Sequence, residues 1–145
     1  MSIKAVLDSS TIVALYTPEE HSKWVREVIK GHLKFHILDL AFYEVANALW
    51  KKFLLLREIS RGEASKAIQG AWRFMDMLCS IHSLRDVREE AWDLSIRHAL
   101  TIYDSSYLAL AKSLNAKLVT TDKTLHEKLR KTTLREILVH PWKTK

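Results

Sequence analysis

Short unbroken apolar runs alternate along this chain with longer stretches in which apolar residues recur every three or four positions. The first rhythm marks buried strands, the second amphipathic helices. Ile3–Leu7 (IKAVL) reads as a short strand ending at Asp8, and Phe35–Leu38 as a second. Between them Pro18 fits a first helical position, with Thr17 as N-cap and Glu20 completing a capping box, and Gly31 closes that helix. A long helix is predicted from about Leu40 to Leu56 with Asp39 as its cap. Phe42, Val45, Leu49, Phe53 and Leu56 form its core side, while Glu44, Asn47, Ala48 and Lys51 share the opposite stripe.

Ser60 with Glu63 makes a second capping box and starts a helix to about Leu78; Asp86 with Glu89 has the same spacing and starts another, ending near His98. Tyr103–Leu114 is helical by pattern, with Tyr107, Leu108, Ala111 and Leu114 on one face. Lys117–Thr121 (KLVTT) is a strand ending at Asp122, a short basic helix follows, and Ile137–Val139 is a last strand. Strands alternating with helices predict an α/β fold: a central, mostly parallel sheet with helices on both faces. With no repeats, low-complexity tracts or Gly/Ser linkers, residues 1–145 read as a single domain.

Apolar residues make up 48% of the chain and charged residues 28%, a balance that excludes a disordered chain. No apolar run approaches the roughly 18 residues of a membrane span, and MSIKAVLD has no export-signal core, so a cytoplasmic location without membrane partners is expected. Cys79, the only cysteine, excludes an internal disulfide and a multi-thiolate zinc site. Net charge is +6, and Lys117–Lys145 holds eight basic residues against three acids, +5 in that segment alone. Such a segment suits a polyanion such as nucleic acid, or equally a well-solvated surface.

Four acids carry the candidate chemistry. Asp8 and Asp122 follow apolar strands, and ligands of open parallel sheets bind at the strands' carboxyl ends. Asp104 opens a helix, and Glu44 lies near the start of the long one. Taken singly, Asp8, Asp104 and Asp122 also read as helix-start acids, and Glu44 as a solvated helix residue. Taken together, they converge on one sheet edge. Convergent carboxylates repel unless a cation lies between them, and an all-oxygen set favours Mg²⁺ or Mn²⁺. An ion of that kind orients water for attack on phosphorus and stabilises the leaving oxygen.

AVLDSSTIVAL, FYEVANALWKK and IYDSSYLALAKSLNAKLVTTDKTL resemble, in order and spacing, the motifs of PIN-domain ribonucleases, and the length and wording are those of VapC toxins from toxin–antitoxin pairs. The resemblance implies a PIN-like three-layer fold and a Mg²⁺- or Mn²⁺-dependent endoribonuclease. It makes Asp8, Glu44, Asp104 and Asp122 the metal-binding and catalytic acids, supported by Ser10, Asn47 and Thr120 or Thr121. It also implies an RNA substrate, a cognate antitoxin and a homodimer. Lys51, Lys123, Lys128, Arg130 and Lys131 are the candidate RNA-binding cations. Ala99 departs from the family by replacing a glycine common before the third motif. Leu108, four residues after Asp104, adds no acid, so one ion is expected rather than two.

The seven histidines lack H-x-H or H-E-x-x-H spacing and read as packing or surface residues, and Trp24, Trp50, Trp72 and Trp92 as core or interface anchors. Leu54, Leu55 and Ile59 are the candidate dimer or antitoxin surface. An aspartyl phosphatase is disfavoured because Ser10 stands where its second aspartate belongs. A catalytically silent PIN module that binds RNA or protein, or an RNA-processing nuclease without an antitoxin, are the alternatives.

Overall fold

The computed structural model describes residues 4–142 other than Leu33; Ile3 of the predicted first strand, and Lys143 and Lys145 of the basic segment, lie outside the described residues. Five parallel strands, β1 (Lys4–Leu7), β2 (Lys34–Leu38), β3 (Cys79–His82), β4 (Lys117–Val119) and β5 (Leu138–Val139), form one sheet in the order β3-β2-β1-β4-β5. β1, β2, β4 and β5 alternate their side chains between two apolar layers. Val6, Leu38, Leu118 and Leu138 face helices α5 (Leu84–His98), α6 (Ile102–Leu114) and α7 (Lys123–Leu129). Ala5, Leu7, Ile37 and Val119 face α1 (Ser9–Tyr16), α3 (Leu40–Trp50) and α4 (Arg61–Leu78). Strands covered on both faces read as unbroken apolar runs, which is why the sequence announces them. A further helix, α2 (Ser22–Lys30), completes the α1–β2 connection. Among the described residues no helix is long and apolar enough to cross a membrane.

The chain leaves β1 toward β2 and β3, then returns through α5 and α6 to β4 on the other side of β1. The order therefore reverses between β1 and β4, and a crevice at their carboxyl ends is where such sheets take ligands. Because α6 runs back toward the start of β4, its N-terminus also lies at that edge.

Several predicted boundaries move. Thr17 ends α1 rather than starting α2: its hydroxyl donates to the Val13 carbonyl, and Ser22, the first residue of α2, donates to the Thr17 carbonyl. Gly31 does close α2. Asp39 is already helical and makes no side-chain cap bond. The long helix widens after Trp50 into a π turn over Lys51–Leu55, a change of pitch that turns Leu56 outward, 55% exposed. The Ser60–Glu63 capping box forms as predicted. Ser83, not Asp86, caps α5, which leaves Asp86 in its first turn. β3 has no counterpart in the sequence reading, since CSIH at an edge carries no apolar run. Trp50, Trp72 and Trp92 are 49%, 44% and 62% exposed and are not core residues. Trp142 stacks on His126, ring centroids 5.3 Å apart, and meets the edge of His21, tying the end of the described chain to α7 and α2.

Ala99 ends α5 in the left-handed conformation (φ 54°, ψ 43°), where a Cβ is unfavourable by roughly 1–2 kcal/mol. Ala99→Gly removes that clash but loosens the unfolded chain by about 0.4–1 kcal/mol. A net stabilisation of about 0.5–1 kcal/mol is expected, read as a higher denaturation midpoint at unchanged m-value.

Candidate active site

Asp8 is the first residue past β1 and caps α1. Its Oδ1 accepts from the Ser10 hydroxyl (2.6 Å), the Thr11 amide (3.0 Å) and the Thr11 hydroxyl (3.1 Å). The same groups tie β1 to β4: Ser10 Oγ accepts from the Thr121 amide (3.1 Å), and the Thr11 hydroxyl shares its single proton between Asp8 Oδ1 and the nearer Val119 carbonyl (2.8 Å). Asp8 is only 6% exposed, and among the described residues no Lys or Arg pairs with it. Burial pushes its carboxyl up to about 6, against hydrogen bonds from Ser10, Thr120 and Thr11 that pull it down.

Asp122 caps α7 by accepting from the Leu125 amide (3.1 Å), while its own amide donates to Thr120 Oγ1 (3.0 Å). Thr120 thus stands between the two acids, in contact with both. Asp104 occupies the first turn of α6, where Thr101 rather than Asp104 is the cap. Its carboxyl is held above the usual range, first by burial, then by Asp122 and Glu44, with Lys128 opposing them. Glu44 accepts from the buried Tyr107 hydroxyl (2.7 Å). That bond joins α3 on one face of the sheet to α6 on the other, and Tyr107 senses the charge of Asp8 as well as that of Glu44.

Asp104 therefore lies within reach of Asp122 and Glu44, and Asp8 is linked to them through Thr120 and Tyr107, yet the four predicted acids do not merge. Among the described residues no three His, Cys, Asp or Glu side chains stand close enough to hold an ion together. Asp8 and Asp122 also perform the capping their positions suggested. Asn47 is exposed beside Glu44 in a groove of about 930 Å³ along α3, bordered by Tyr43, Trp50, Trp72 and Tyr103. Ser10 and Thr120 reach the acids through side chains, and Thr121 takes part through its amide. Lys51, Lys123, Lys128, Arg130 and Lys131 are all exposed, and Lys128 is the one whose charge acts on Asp104.

The sequence reading left Thr11 and Tyr107 out of the site. Thr11 had a signal, standing three residues after a capping acid where its amide must meet that acid. Tyr107 shares a helical stripe with Asp104, but three apolar partners on that stripe marked it as core.

A doubly covered parallel sheet with interacting acids at its switch point is the arrangement of a small α/β nuclease, and the family model for the PIN domain matches residues 5–131. The chain belongs to the PIN-domain family. Within it the chain is 43% identical over 128 residues to Ribonuclease VapC3 of Pyrobaculum aerophilum, covering 87% of this chain and 95% of that one. It is 33% identical over 126 residues to Exonuclease VapC9 of the same organism, covering 86% and 85%. A toxin–antitoxin complex from Klebsiella pneumoniae contains the same fold, with a TM-score of 0.64 at 16% identity, covering 96% of this chain and 98% of that one.

Proposed function

We propose that this chain, as one domain, is a Mg²⁺- or Mn²⁺-dependent endoribonuclease and the toxin of a toxin–antitoxin pair. The observation that carries the reading is Asp104 standing within reach of Asp122 and Glu44, beside the buried Asp8, at the sheet's switch point in a PIN-domain chain. Asp8 supports a cation directly: a carboxylate buried without a basic partner gains most from a positive ion next to it.

The donor set is all oxygen, which suits Mg²⁺ or Mn²⁺. The acids stand apart, which suits an ion that keeps part of its water shell and takes one or two carboxylates directly. Asp8, Glu44, Asp104 and Asp122 are the residues that would hold it. Such an ion, when bound, neutralises the phosphodiester and lowers the pKa of its water. Ser10 and Thr11 fix the Asp8 carboxylate by three bonds to Oδ1, and Thr120 helps to hold its charged form. The surface cations Lys51, Lys123, Lys128, Arg130 and Lys131 would grip the RNA backbone on either side of the cut. A cognate antitoxin and a second copy of this chain are the expected protein partners, and the exposed Leu54 and Leu55 offer an apolar surface for either.

Purified protein is expected to cleave a circular, end-free RNA in Mg²⁺ or Mn²⁺ and to stop when EDTA is added. Cleavage undiminished by chelator would refute the metal mechanism; cleavage confined to linear RNA would replace the endonuclease reading with an exonuclease one. Absence of cleavage with every ion and RNA tried would leave a silent binding module.

A further inference from the structure

We propose that Tyr107 is the positioning residue of Glu44, holding that carboxylate in place for the ion. The inference rests on the metal reading above and assigns a role to a residue outside the acidic motif positions.

Tyr107 lies in the middle of α6, one turn beyond Asp104, and is 3% exposed. Its ring packs in the apolar layer with Val6, Leu38 and Leu108. Packing of that kind fixes where the phenol oxygen sits. The hydroxyl at the end of the ring donates to Glu44 Oε1 at 2.7 Å, a charge-assisted bond of favourable length. Ser9 lies near enough to the phenol to oppose the burial that raises its pKa. Ser9 is the residue after Asp8, so the phenol stands between the first acid and the second.

Glu44 needs such a tether. It projects from α3 beside an open groove, on a side chain with three rotatable bonds. Asp8 has three donors on one oxygen and Asp122 is fixed by its capping bond. Tyr107 donates to the Glu44 carboxylate, and the bond is made to Oε1 alone. Outer-shell partners of this kind commonly change metal affinity by roughly 10–100-fold when removed. The role is orientation, without contact between the phenol and the phosphate.

The test uses the full chain with Tyr107→Phe, which keeps the ring and removes the hydroxyl. Mn²⁺ binding is measured by calorimetry and by the shift of the thermal midpoint, and cleavage is followed as a function of Mn²⁺. The expected result is Mn²⁺ affinity weakened about tenfold or more, with cleavage returning to within a few-fold of the unmodified rate once Mn²⁺ saturates. The comparison is made below the unfolding transition of both metal-free proteins, where mass action on folding gives no rescue and a merely structural defect leaves the affinity unchanged. In a Glu44→Gln background, Tyr107→Phe should add little further loss, because its effect passes through Glu44.

Equal or tighter Mn²⁺ affinity in Tyr107→Phe overturns the proposal. So does an equal loss in both backgrounds, which would make the effect general to the core. If Tyr107→Phe does not fold, a fluorinated tyrosine at 107 keeps the ring and changes the strength of the phenol as a donor to Glu44, and unchanged Mn²⁺ affinity there overturns the proposal. Failure of the unmodified protein to bind Mn²⁺ at all would instead refute the metal reading, and this inference with it.

Discussion

Asp8→Asn is expected to abolish RNA cleavage and, in EDTA, to leave the protein as stable as the unmodified chain or more so. Asparagine retains the Oδ1 that accepts from Ser10 and Thr11, so the cap on α1 survives and only the charge is lost. In the metal-free protein that charge is a liability, because burial raises the carboxyl to about 6 from 3.8. The folded state therefore binds more protons than the unfolded state between those two values. Stability from this group is fully present below the unfolded pKa and is lost as pH rises through about 6. The metal-free protein should accordingly gain stability when acidified from pH 7 toward pH 4, and the part due to Asp8 should vanish in Asp8→Asn. At neutral pH the variant should gain about 1–3 kcal/mol at most.

Metal reverses the ranking. Mg²⁺ or Mn²⁺ at a hundred times its dissociation constant should stabilise the unmodified chain by about 2.7 kcal/mol, by mass action. Asp8→Asn should gain much less, and so should Asp104→Asn, whose acid stands under the influence of Asp122 and Glu44. Melts of the three proteins with EDTA and with each ion decide the matter. Were these acids only helix-start residues, the ion would shift all three alike and cleavage would persist.

The acids were legible in the sequence because each lies next to a signal of its own: Asp8 after KAVL, Asp122 after KLVTT, Asp104 at a helix start. Their approach to one another was legible only through the alternation of strands and helices, which puts those ends on one edge. Boundaries were lost where two local rules competed. Thr17-Pro18 has the spacing of a helix start, yet the Thr17 hydroxyl finds a better acceptor in the preceding turn, at Val13. Asp86 has capping spacing, yet Ser83 stands three residues earlier and takes the role. β3 was hidden because an edge strand half exposed to solvent needs no apolar run. Tyr107 shows the deeper limit. A buried aromatic on an apolar stripe looks the same whether or not its hydroxyl meets a carboxylate from another helix, and only the packing of α3 and α6 around the sheet decides that.

Neutralising Lys128, Arg130 and Lys131 together is expected to weaken RNA binding and flatten its salt dependence. All three are exposed at the end of α7 and just past it, the helix that Asp122 caps, so they lie within one short segment of the acidic edge. If each side chain meets one phosphate of a single strand, the triple Gln variant should lower the slope of log affinity against log salt by about 2, at about 0.7 per phosphate. Affinity at 50 mM salt should fall by more than at 200 mM, since fewer counterions are released. Cleavage at saturating RNA should change less than affinity. The exception is Lys128, whose charge opposes the rise of the Asp104 carboxyl. Without it Asp104 titrates higher, so the acid limb of the cleavage profile should move to higher pH in Lys128→Gln and stay in place in Arg130→Gln/Lys131→Gln. Binding isotherms across a salt series measure the first effect, and single-turnover cleavage against pH measures the second. An unchanged salt slope in the triple variant would make this segment an ordinary solvated surface and move the search for the RNA track to Lys51 and the aromatic groove along α3.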